Sequence, residues 1–161
     1  MLFPDYVEFI DSLNQHGVKY LIIGAQALAY HARPRATKDL DIFVEPTSAN
    51  AKRLLKALNG FFGADTGYAV SDLIRPGTII QLGVAPVRID LMTQISGFSN
   101  FEDAWKNRVE AGFGPARAHF ISLDDLITAK RAANRLQDRA DVRVLKRAGK
   151  KDRPARSRRK T

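Results

Sequence analysis

The chain contains no cysteine among its 161 residues, and its only three histidines are scattered at positions 16, 31 and 119. The absence of cysteine excludes a disulfide framework, a thiolate metal site and a cysteine nucleophile. Three dispersed histidines also argue against a zinc site. Any metal ion in this protein is therefore expected to be a hard cation bound by carboxylate oxygens.

Long hydrophobic runs are also missing. No apolar stretch approaches the roughly 20 residues that a membrane-spanning helix needs. The N-terminal stretch MLFPDYVEF has an early acid and no basic segment, unlike a secretory signal. These absences predict a cytoplasmic protein with no membrane partner. The length fits a single domain, and the 45% content of hydrophobic residues is ordinary for a globular chain.

Positive charge is concentrated at the C-terminus. Residues 146–161 carry nine Lys or Arg and one Asp, so the other 145 residues account for only +1 of the net charge of +9. This segment has no aliphatic residue larger than alanine, and it cannot bury enough surface to order itself. We therefore predict a domain over residues 1–145 and a disordered basic tail over residues 146–161. The tail could bind RNA phosphates or serve only to keep the chain solvated.

Apolar periodicity and turn residues predict a mixed sheet flanked by helices. Ser48 and Ser122 are candidate helix caps, the latter with Asp125 in a capping box, and Gly60 and Gly63 are expected to end the third helix. Ala85 and Pro86 are expected to join the last two strands as a hairpin. Strands are predicted at residues 19–24, 39–45, 78–84 and 87–93, and helices at residues 4–16, 25–32, 48–58, 101–109, 123–136 and 138–146. This arrangement indicates an α+β (α/β) class with C-terminal helices.

The second predicted strand, DLDIFVE, carries two acids on one face. Side chains in a strand alternate, so Asp39 and Asp41 share a face with Phe43, whereas Leu40, Ile42 and Val44 share the other. Two adjacent like charges repel, which costs stability unless something compensates. A divalent cation is the obvious compensator, since Mg²⁺ binds carboxylates together with substrate phosphate oxygens.

A third acid lies in the last predicted strand, VRIDLMT, where Asp90 shares a face with Arg88 and Met92. If this strand pairs with the second one, Asp90 can join Asp39 and Asp41. Three carboxylates can hold two metal ions about 3.5–4 Å apart, which stabilise the attacking and leaving oxygens of an in-line displacement at phosphorus. An isolated D-x-D at the start of a strand is more often a solvated edge, so the hypothesis depends on the third acid.

The first predicted strand, KYLIIG, ends at Gly24 and is followed by Ala25, Gln26 and a helical stretch. A strand, a turn of small residues and a helix N-terminus together form an anion site from backbone N–H groups, which suits triphosphate oxygens. Glycine permits a close approach of the backbone. The simpler alternative is an ordinary turn in which a small residue serves packing.

Residues 20–46, YLIIGAQALAYHARPRATKDLDIFVEP, resemble the nucleotidyltransferase superfamily that contains DNA polymerase β. Within it, the chain is similar to a minimal bacterial branch that includes abortive-infection AbiEii-type toxins. The pattern of that branch is a strand, a glycine with a small residue, a helix and then P-R-x-T-x-D-L-D-I, which residues 34–42 match. Residues 122–145 resemble the branch more loosely, through an L-x-D-L-I-x-x-K helix and a following R-x-K-D-x-x-D in which Gln137 replaces the lysine.

The resemblance implies a minimal nucleotidyltransferase fold and assigns roles to individual residues. Asp39 and Asp41 would bind both Mg²⁺ (or Mn²⁺) ions, and Asp90 would bind the catalytic one and help to activate the attacking hydroxyl. The implied nucleotide-binding residues are Gly24, Ala25, Arg35, Thr37 and Lys130. The superfamily usually has Gly-Gly or Gly-Ser where this chain has Gly24-Ala25, so a hydroxyl that could touch phosphate is lost.

Simpler alternatives exist for the basic and acidic residues of the motif. Lys130 could be a solvent-facing helix charge, and Arg35 could pair with one of the three acids. Asp138 and Asp141 are expected to cap or pair the last helix, with Arg135 as a candidate partner.

The implied reaction moves a nucleotide from an NTP to a hydroxyl acceptor and releases pyrophosphate. A tRNA 3′ end, a protein hydroxyl and a small molecule are all open as acceptors, and the basic tail favours RNA. The resemblance further implies a toxin with a cognate antitoxin. One rival interpretation is a non-catalytic binding module of the same fold, and another is a nucleic-acid-binding partner protein that acts through its tail. A glycosyltransferase D-x-D is disfavoured because the chain is short for that fold.

Overall fold

The computed structural model describes residues 3–37, 39–84 and 86–151. Within these residues the chain forms six strands: β1 Tyr20–Ile23, β2 Asp39–Val44, β3 Ile79–Val84, β4 Val87–Met92, β5 Val109–Phe113 and β6 Ala116–Phe120. The same residues form seven helices: α1 Pro4–Gln15, α2 Gly24–His31, α3 Ser48–Phe62, α4 Val70–Ile74, α5 Glu102–Trp105, α6 Leu123–Ala133 and α7 Leu136–Lys151.

The six strands form one mixed sheet in the order β3-β4-β2-β1-β6-β5. Strand β2 runs antiparallel to β1 and parallel to β4. Strands β1 and β6 are also parallel, whereas β3–β4 and β5–β6 are antiparallel hairpins. The predicted mixed sheet with flanking helices is therefore confirmed, and β2 and β4, which carry the acids, are neighbours.

Burial explains why the central strands form. All four residues of β1 are buried, and Leu40, Ile42 and Val44 of β2 have no exposed surface. Apolar side chains of α1 and α3 complete the core, since α1 packs on α3 and reaches β4 and β6. Burying a side chain of this size stabilises the fold by roughly 1.5–3 kcal/mol.

A single amide fixes the start of α3 against the sheet. Asn50 is fully buried, and its side chain accepts a hydrogen bond from the backbone N–H of Lys19 at 2.8 Å. The same amide donates to the carbonyls of Lys19 and Glu45, each at 3.0 Å. One side chain thus satisfies three backbone groups where β1 begins and β2 ends, groups that would otherwise be costly to bury.

The predicted boundaries differ from the structure in several helices: α5 ends at Trp105 and α6 at Ala133, both before their predicted ends, and α3 and α7 extend further than predicted. Thr47, rather than Ser48, caps α3 by accepting from the N–H of Asn50 at 3.3 Å. The helix passes through Gly60 and ends at Gly63 in a left-handed conformation. Phe61 packs edge-on against Phe9 of α1, which offsets the roughly 1 kcal/mol cost of a helical glycine. Helix α7 continues to Lys151, so residues 146–151 of the predicted tail are helical, and residues 152–161 lie outside the described residues.

Three further elements, α4, β5 and β6, were not predicted. Residues 70–74 form the short helix α4, and β5 and β6 form a hairpin that begins at Val109, the last residue of the helix predicted over residues 101–109. The turn between them contains Gly114 at a φ of +58°, followed by Pro115. The predicted β3–β4 hairpin is present as an antiparallel pair that ends at Val84 and Val87, although Ala85 lies outside the described residues. Ser122 caps α6 as expected by accepting from the N–H of Asp125 at 3.1 Å.

In the three described ranges, no helix combines the length and the hydrophobicity that crossing a bilayer requires.

Replacing the buried amide tests its role in the fold. We expect Asn50→Ala to lower the free energy of unfolding by about 2–4 kcal/mol, because it removes three hydrogen bonds made by a fully buried side chain and leaves a gap in its place. Asn59→Ala is the matched control. Asn59 is only partly buried and accepts from the backbone N–H of Thr66 at 3.2 Å, so we expect a cost of about 1 kcal/mol or less. Urea unfolding measures both, and equal losses would contradict the assignment.

Candidate active site

The parallel pairing of β2 with β4 brings the three acids onto one face of the sheet. Asp41 lies opposite Asp90, and Asp39 lies opposite Arg88. Residues in register on neighbouring parallel strands project to the same side, so the carboxylates of Asp41 and Asp90 face the same space. This register places the sequence-predicted acids together, although 49 residues of chain separate the two partners.

Arg88 bridges two of these acids. Its guanidinium donates to Asp39 Oδ2 at 3.1 Å and to Asp90 Oδ2 at 3.4 Å. Its Nε also lies 3.4 Å from Asp90 Oδ1, but neither of these two buried atoms has a hydrogen-bond partner among the described residues. The arginine therefore supplies positive charge to the cluster without satisfying every donor and acceptor.

The donor set suits a hard divalent cation. Carboxylate oxygens are the ligands such a cation prefers, and Asp90 Oδ1 is a buried acceptor without a hydrogen bond. As the described residues stand, no group of three or more His, Cys, Asp or Glu side chains is arranged to hold a metal ion. The guanidinium of Arg88 spans Asp39 and Asp90 instead. A metal ion could therefore bind between Asp39 and Asp90 only if the guanidinium of Arg88 moved away from them.

Gly24, the first residue of α2, lies directly against the acid cluster. Its φ is +66°, in the left-handed region that favours glycine. A Cβ at this position would clash with the carboxylate of Asp41, lying 3.1 Å from its Cβ and Cγ. The glycine thus permits the start of α2 to approach Asp41. This brings the first-turn N–H groups of a helix, which lack intrahelical acceptors, to the same edge as the carboxylates.

Burial and repulsion alter the titration of the acids. Burial raises the pKa of Asp41 to about 6, and the negative charges of Asp90 and Asp39 add to the increase. Burial also raises the pKa of Asp90, while Arg88 opposes that shift. Perturbed carboxylates of this kind concentrate at functional sites because charge is held there at a cost to stability.

Lys130 of α6 is buried beside the acid cluster. Its Nζ donates to Asp141 at 2.9 Å and lies 3.7 Å from Asp138, both on α7. It is therefore neither the solvent-facing charge of the simpler interpretation nor a cation without protein partners. Its positive charge lowers the pKa of Asp41, which places it within electrostatic reach of the three acids.

Asp138 and Asp141 form the acidic side of this network. Asp138 accepts from the backbone N–H and the side chain of Arg135, which confirms the expected pairing. Asp141 accepts from Arg35 at 2.6 Å and from Gln137 at 2.9 Å. Burial raises the pKa of each acid, but these hydrogen bonds and Lys130 hold both pKa values below the ordinary range.

Two of the remaining predicted residues, Arg35 and Thr37, have hydrogen-bond partners within the protein. Arg35 pairs with Asp141 rather than with one of the three acids, which ties the loop after α2 to α7. The hydroxyl of Thr37 donates to the carbonyl of Asp39 and accepts from its N–H, so it fixes the start of β2. Ala25 lies half-buried in the first turn of α2. Of the predicted nucleotide-binding residues, Gly24 and Lys130 line the cleft that contains Asp41, and Arg35 and Thr37 line a neighbouring pocket.

That cleft lies between the acid edge of the sheet and helices α6 and α7. Its volume is about 480 Å³, within the range of small-molecule sites. Its lining includes the charged side chains of Asp41, Lys130, Arg135 and Asp138 and the apolar side chains of Ile79, Met92, Ile95 and Leu126. The cleft therefore offers both charged groups and hydrophobic surface to a ligand.

Comparison with known proteins decides the family. The chain matches the family described as "Nucleotidyl transferase of unknown function (DUF2204)" over residues 2–160. The protein belongs to this nucleotidyltransferase family. The comparison supports the superfamily inferred from the sequence, while the AbiEii-type branch stays a prediction.

Solved structures show the same nucleotidyltransferase fold. TM1012 of Thermotoga maritima, described as a candidate nucleotidyltransferase, is 16% identical with a TM-score of 0.59, and the alignment covers 89% of this chain and 93% of that one. The lincosamide antibiotic adenylyltransferase LnuA, solved with lincomycin bound, is also 16% identical with a TM-score of 0.59, over 90% of this chain and 97% of its own. At this identity the likeness shows the fold alone. No curated protein matches the chain.

The sequence assigned no role to Arg88, and it gave Asp138 and Asp141 only a role in capping or pairing the last helix. A signal for Arg88 was present, because strand alternation places it on the face of Asp90. The local pattern did not show that Arg88 on β4 would pair with Asp39 on β2. It also did not show that Lys130 would pair with Asp138 and Asp141 of α7. Those contacts follow from register and helix packing.

The raised pKa of Asp41 predicts a pH-dependent stability. The folded state holds this proton up to about pH 6, whereas the unfolded chain releases it near pH 4. Stability therefore falls as the pH rises between these values, by roughly 1–3 kcal/mol. We expect metal-free Asp41→Asn to unfold at higher urea than the wild type at pH 8 and to show little gain at pH 4.

The solvent-exposed Glu8→Gln serves as the control and should show no such difference between the two pH values. A gain for Asp41→Asn that is equal at pH 4 and pH 8 would contradict the prediction.

Proposed function

We propose that this protein is a Mg²⁺- or Mn²⁺-dependent nucleotidyltransferase that moves a nucleotide from an NTP to a hydroxyl acceptor. The observation that carries the proposal is the register that places Asp41 opposite Asp90. Asp39 lies two residues before Asp41 on the same strand face, and Gly24 lies directly against the Asp41 carboxylate. Membership of a nucleotidyltransferase family supports the reaction class. The carboxylates, the helix start and the cleft supply groups that this reaction needs.

Asp39, Asp41 and Asp90 would hold the metal, which supplies neutralising charge for phosphate oxygens when bound. The first-turn N–H groups of α2 would donate hydrogen bonds to phosphate oxygens beside Gly24, as helix N-termini do. Lys130 and Arg135 place positive charge on the opposite wall of the cleft. The nucleobase would pack against the apolar part of the cleft lining, which consists of Ile79, Met92, Ile95 and Leu126.

In the proposed reaction the acceptor oxygen attacks the α-phosphorus of the NTP. A bond forms between that oxygen and phosphorus, the bond to the bridging oxygen breaks, and pyrophosphate leaves. The hydroxyl proton passes to a carboxylate of the cluster, and Asp90 is our candidate base, the role that the family resemblance implies for it. Catalysis of this kind depends mainly on positioning and charge stabilisation.

Several kinds of molecule could serve as the acceptor in the proposed reaction. An RNA end such as that of tRNA, a protein hydroxyl and a small molecule all carry the required group. A toxin role with a cognate antitoxin rests on the AbiEii-type sequence resemblance alone, and no structural observation adds support to it.

A non-catalytic binding module of the same fold is the alternative function. Arg88 favours it, because the guanidinium neutralises Asp39 and Asp90 without any metal. Two measurements separate the alternatives: nucleotide transfer, and metal binding by variants of the cluster.

Nucleotide transfer tests the enzymatic proposal directly. The full chain is incubated with each α-labelled NTP, Mg²⁺ or Mn²⁺, and total cellular RNA, protein or small-molecule extract. We expect label transfer that falls at least about 100-fold in Asp39→Asn or Asp41→Asn, because each variant removes a charge needed at phosphorus. Asp103→Asn, a surface acid on α5, should retain full activity. Transfer that persists in both cluster variants would rule out the proposed site.

Metal binding tests the part played by Arg88. In Arg88→Gln no guanidinium has to leave Asp39 and Asp90, so we expect Mn²⁺ to bind about threefold to tenfold more tightly in calorimetry. Arg117→Gln removes the same charge from an exposed position on β6 and should leave Mn²⁺ affinity unchanged. Equal or weaker Mn²⁺ binding by Arg88→Gln would show that the arginine does not compete with metal.

A further inference from the structure

Helix α7 separates its charges by face. Its two acids, Asp138 and Asp141, are buried against α6 and the loop after α2. From residue 139 to residue 151 every exposed position except Ala140 carries a cation, and none carries an acid. We name this surface the basic face of α7; its residues are Arg139, Arg143, Lys146, Arg147, Lys150 and Lys151.

Helix stability alone does not account for the basic face. Cations near a helix C-terminus interact favourably with the helix dipole, which explains Lys150 and Lys151 in the last turn. Arg139 lies near the opposite end, where the dipole disfavours positive charge. Arg139, Arg143 and Arg147 also follow one another at four-residue spacing, and like charges at that spacing destabilise a helix by a few tenths of a kcal/mol per pair. An anionic ligand would relieve this repulsion.

A concavity beside the helix extends the same charge. It has a volume of about 260 Å³, and among the described residues its polar lining consists of Arg33, Arg147 and Lys151, with no acid. Ala32, Val144 and Ala148 complete it. Three cations around one small hollow match the requirements of a phosphate group, for which guanidinium is a well-suited donor.

The basic face leads to the candidate active site. Arg135, immediately before α7, lines the cleft that contains Asp41, and Arg139 follows one helical turn later. At 1.5 Å per residue the face runs about 18 Å from Arg139 to Lys151. A long polyanion bound along it would therefore have one end near the acid cluster.

We propose that the basic face of α7 binds the phosphodiester backbone of a single-stranded nucleic acid and directs its end to the cleft, so that a terminal hydroxyl is the acceptor. The role of the end as acceptor rests on the proposed function, whereas backbone binding does not. A lipid surface fits less well, because the apolar residues Val142 and Leu145 of α7 are buried in the fold. An extended row of cations without apolar residues also differs from the hydrophobic centre of a protein interface.

Charge reversal with a matched control tests the binding. The test variant is Arg139→Glu with Arg143→Glu and Arg147→Glu, and the control is Lys52→Glu with Arg53→Glu and Lys56→Glu on the exposed side of α3. Both change the net charge equally and keep the C-terminal segment. Fluorescence anisotropy measures binding of the full chain to labelled RNA and DNA oligonucleotides of the same sequence, about 12 nucleotides long.

We expect the α7 variant to bind at least about tenfold more weakly than the wild type, and its salt slope to fall by about 2, for three lost phosphate contacts on a single strand. The α3 control should stay within about threefold. Equal weakening of both variants, or of neither, would overturn the proposal. The RNA and DNA arms identify which nucleic acid is preferred. Displacement by poly-glutamate as effective as by RNA would show a general acid-binding surface and would also overturn it.

Two additional variants of the chain serve as controls for misfolding and for the enzymatic proposal. Arg139→Gln with Arg143→Gln and Arg147→Gln removes the charges without adding acids, and should weaken binding in the same direction if the reversed variant folds poorly. Asp41→Asn should bind the oligonucleotide as well as the wild type. Binding that is normal in Asp41→Asn while label transfer is absent even in the wild type would disprove the enzymatic proposal and leave the nucleic-acid surface standing.

Discussion

Mutual repulsion among three carboxylates on one sheet face is the constraint around which this structure is arranged. Asp41 and Asp90 are partners in register, and Asp39 lies two residues before Asp41 on the same strand face. Burial raises the pKa of Asp41, and repulsion by Asp90 and Asp39 adds to the increase. The surrounding charges compensate for it: Arg88 bridges Asp39 and Asp90, and Lys130 acts on Asp41 from α6. Among the described residues, the guanidinium of Arg88 is the positive group that lies between two of these acids.

The second wall of the cleft depends on a separate set of buried ion pairs. Lys130 joins α6 to Asp138 and Asp141 of α7, and Arg35 ties the loop after α2 to the same helix. Removing one partner of a buried pair is strongly destabilising because it leaves an uncompensated charge. The network therefore fixes the distance between the wall that carries Lys130 and the edge that carries Asp41. Because Asp138 and Asp141 are buried within this network, the cations of α7 occupy the exposed side of the helix.

Several parts of the fold and the site could be predicted from local patterns. Strand alternation placed Asp39 with Asp41, and Arg88 with Asp90, because the side-chain period of a strand depends on the backbone alone. Other parts could not be predicted locally. The β5–β6 hairpin contains Gly112, which weakens a strand pattern although burial alternates along both strands. Helix α3 passes through Gly60 because packing of Phe61 on Phe9 outweighs the cost of the glycine.

By itself, the sequence determined which residues could act: a chain without cysteine, three acids on two apolar strands, and a glycine at a strand-to-helix turn. Only the tertiary structure decided that Asp90 stands opposite Asp41, that Arg88 spans two of the acids, that Lys130 is buried against α7 and that residues 146–151 extend a helix. The physical reason is that a residue's own backbone sets the direction of its side chain. Register and ion pairing, in contrast, join segments far apart in the chain, and their choice depends on the free energy of the whole core.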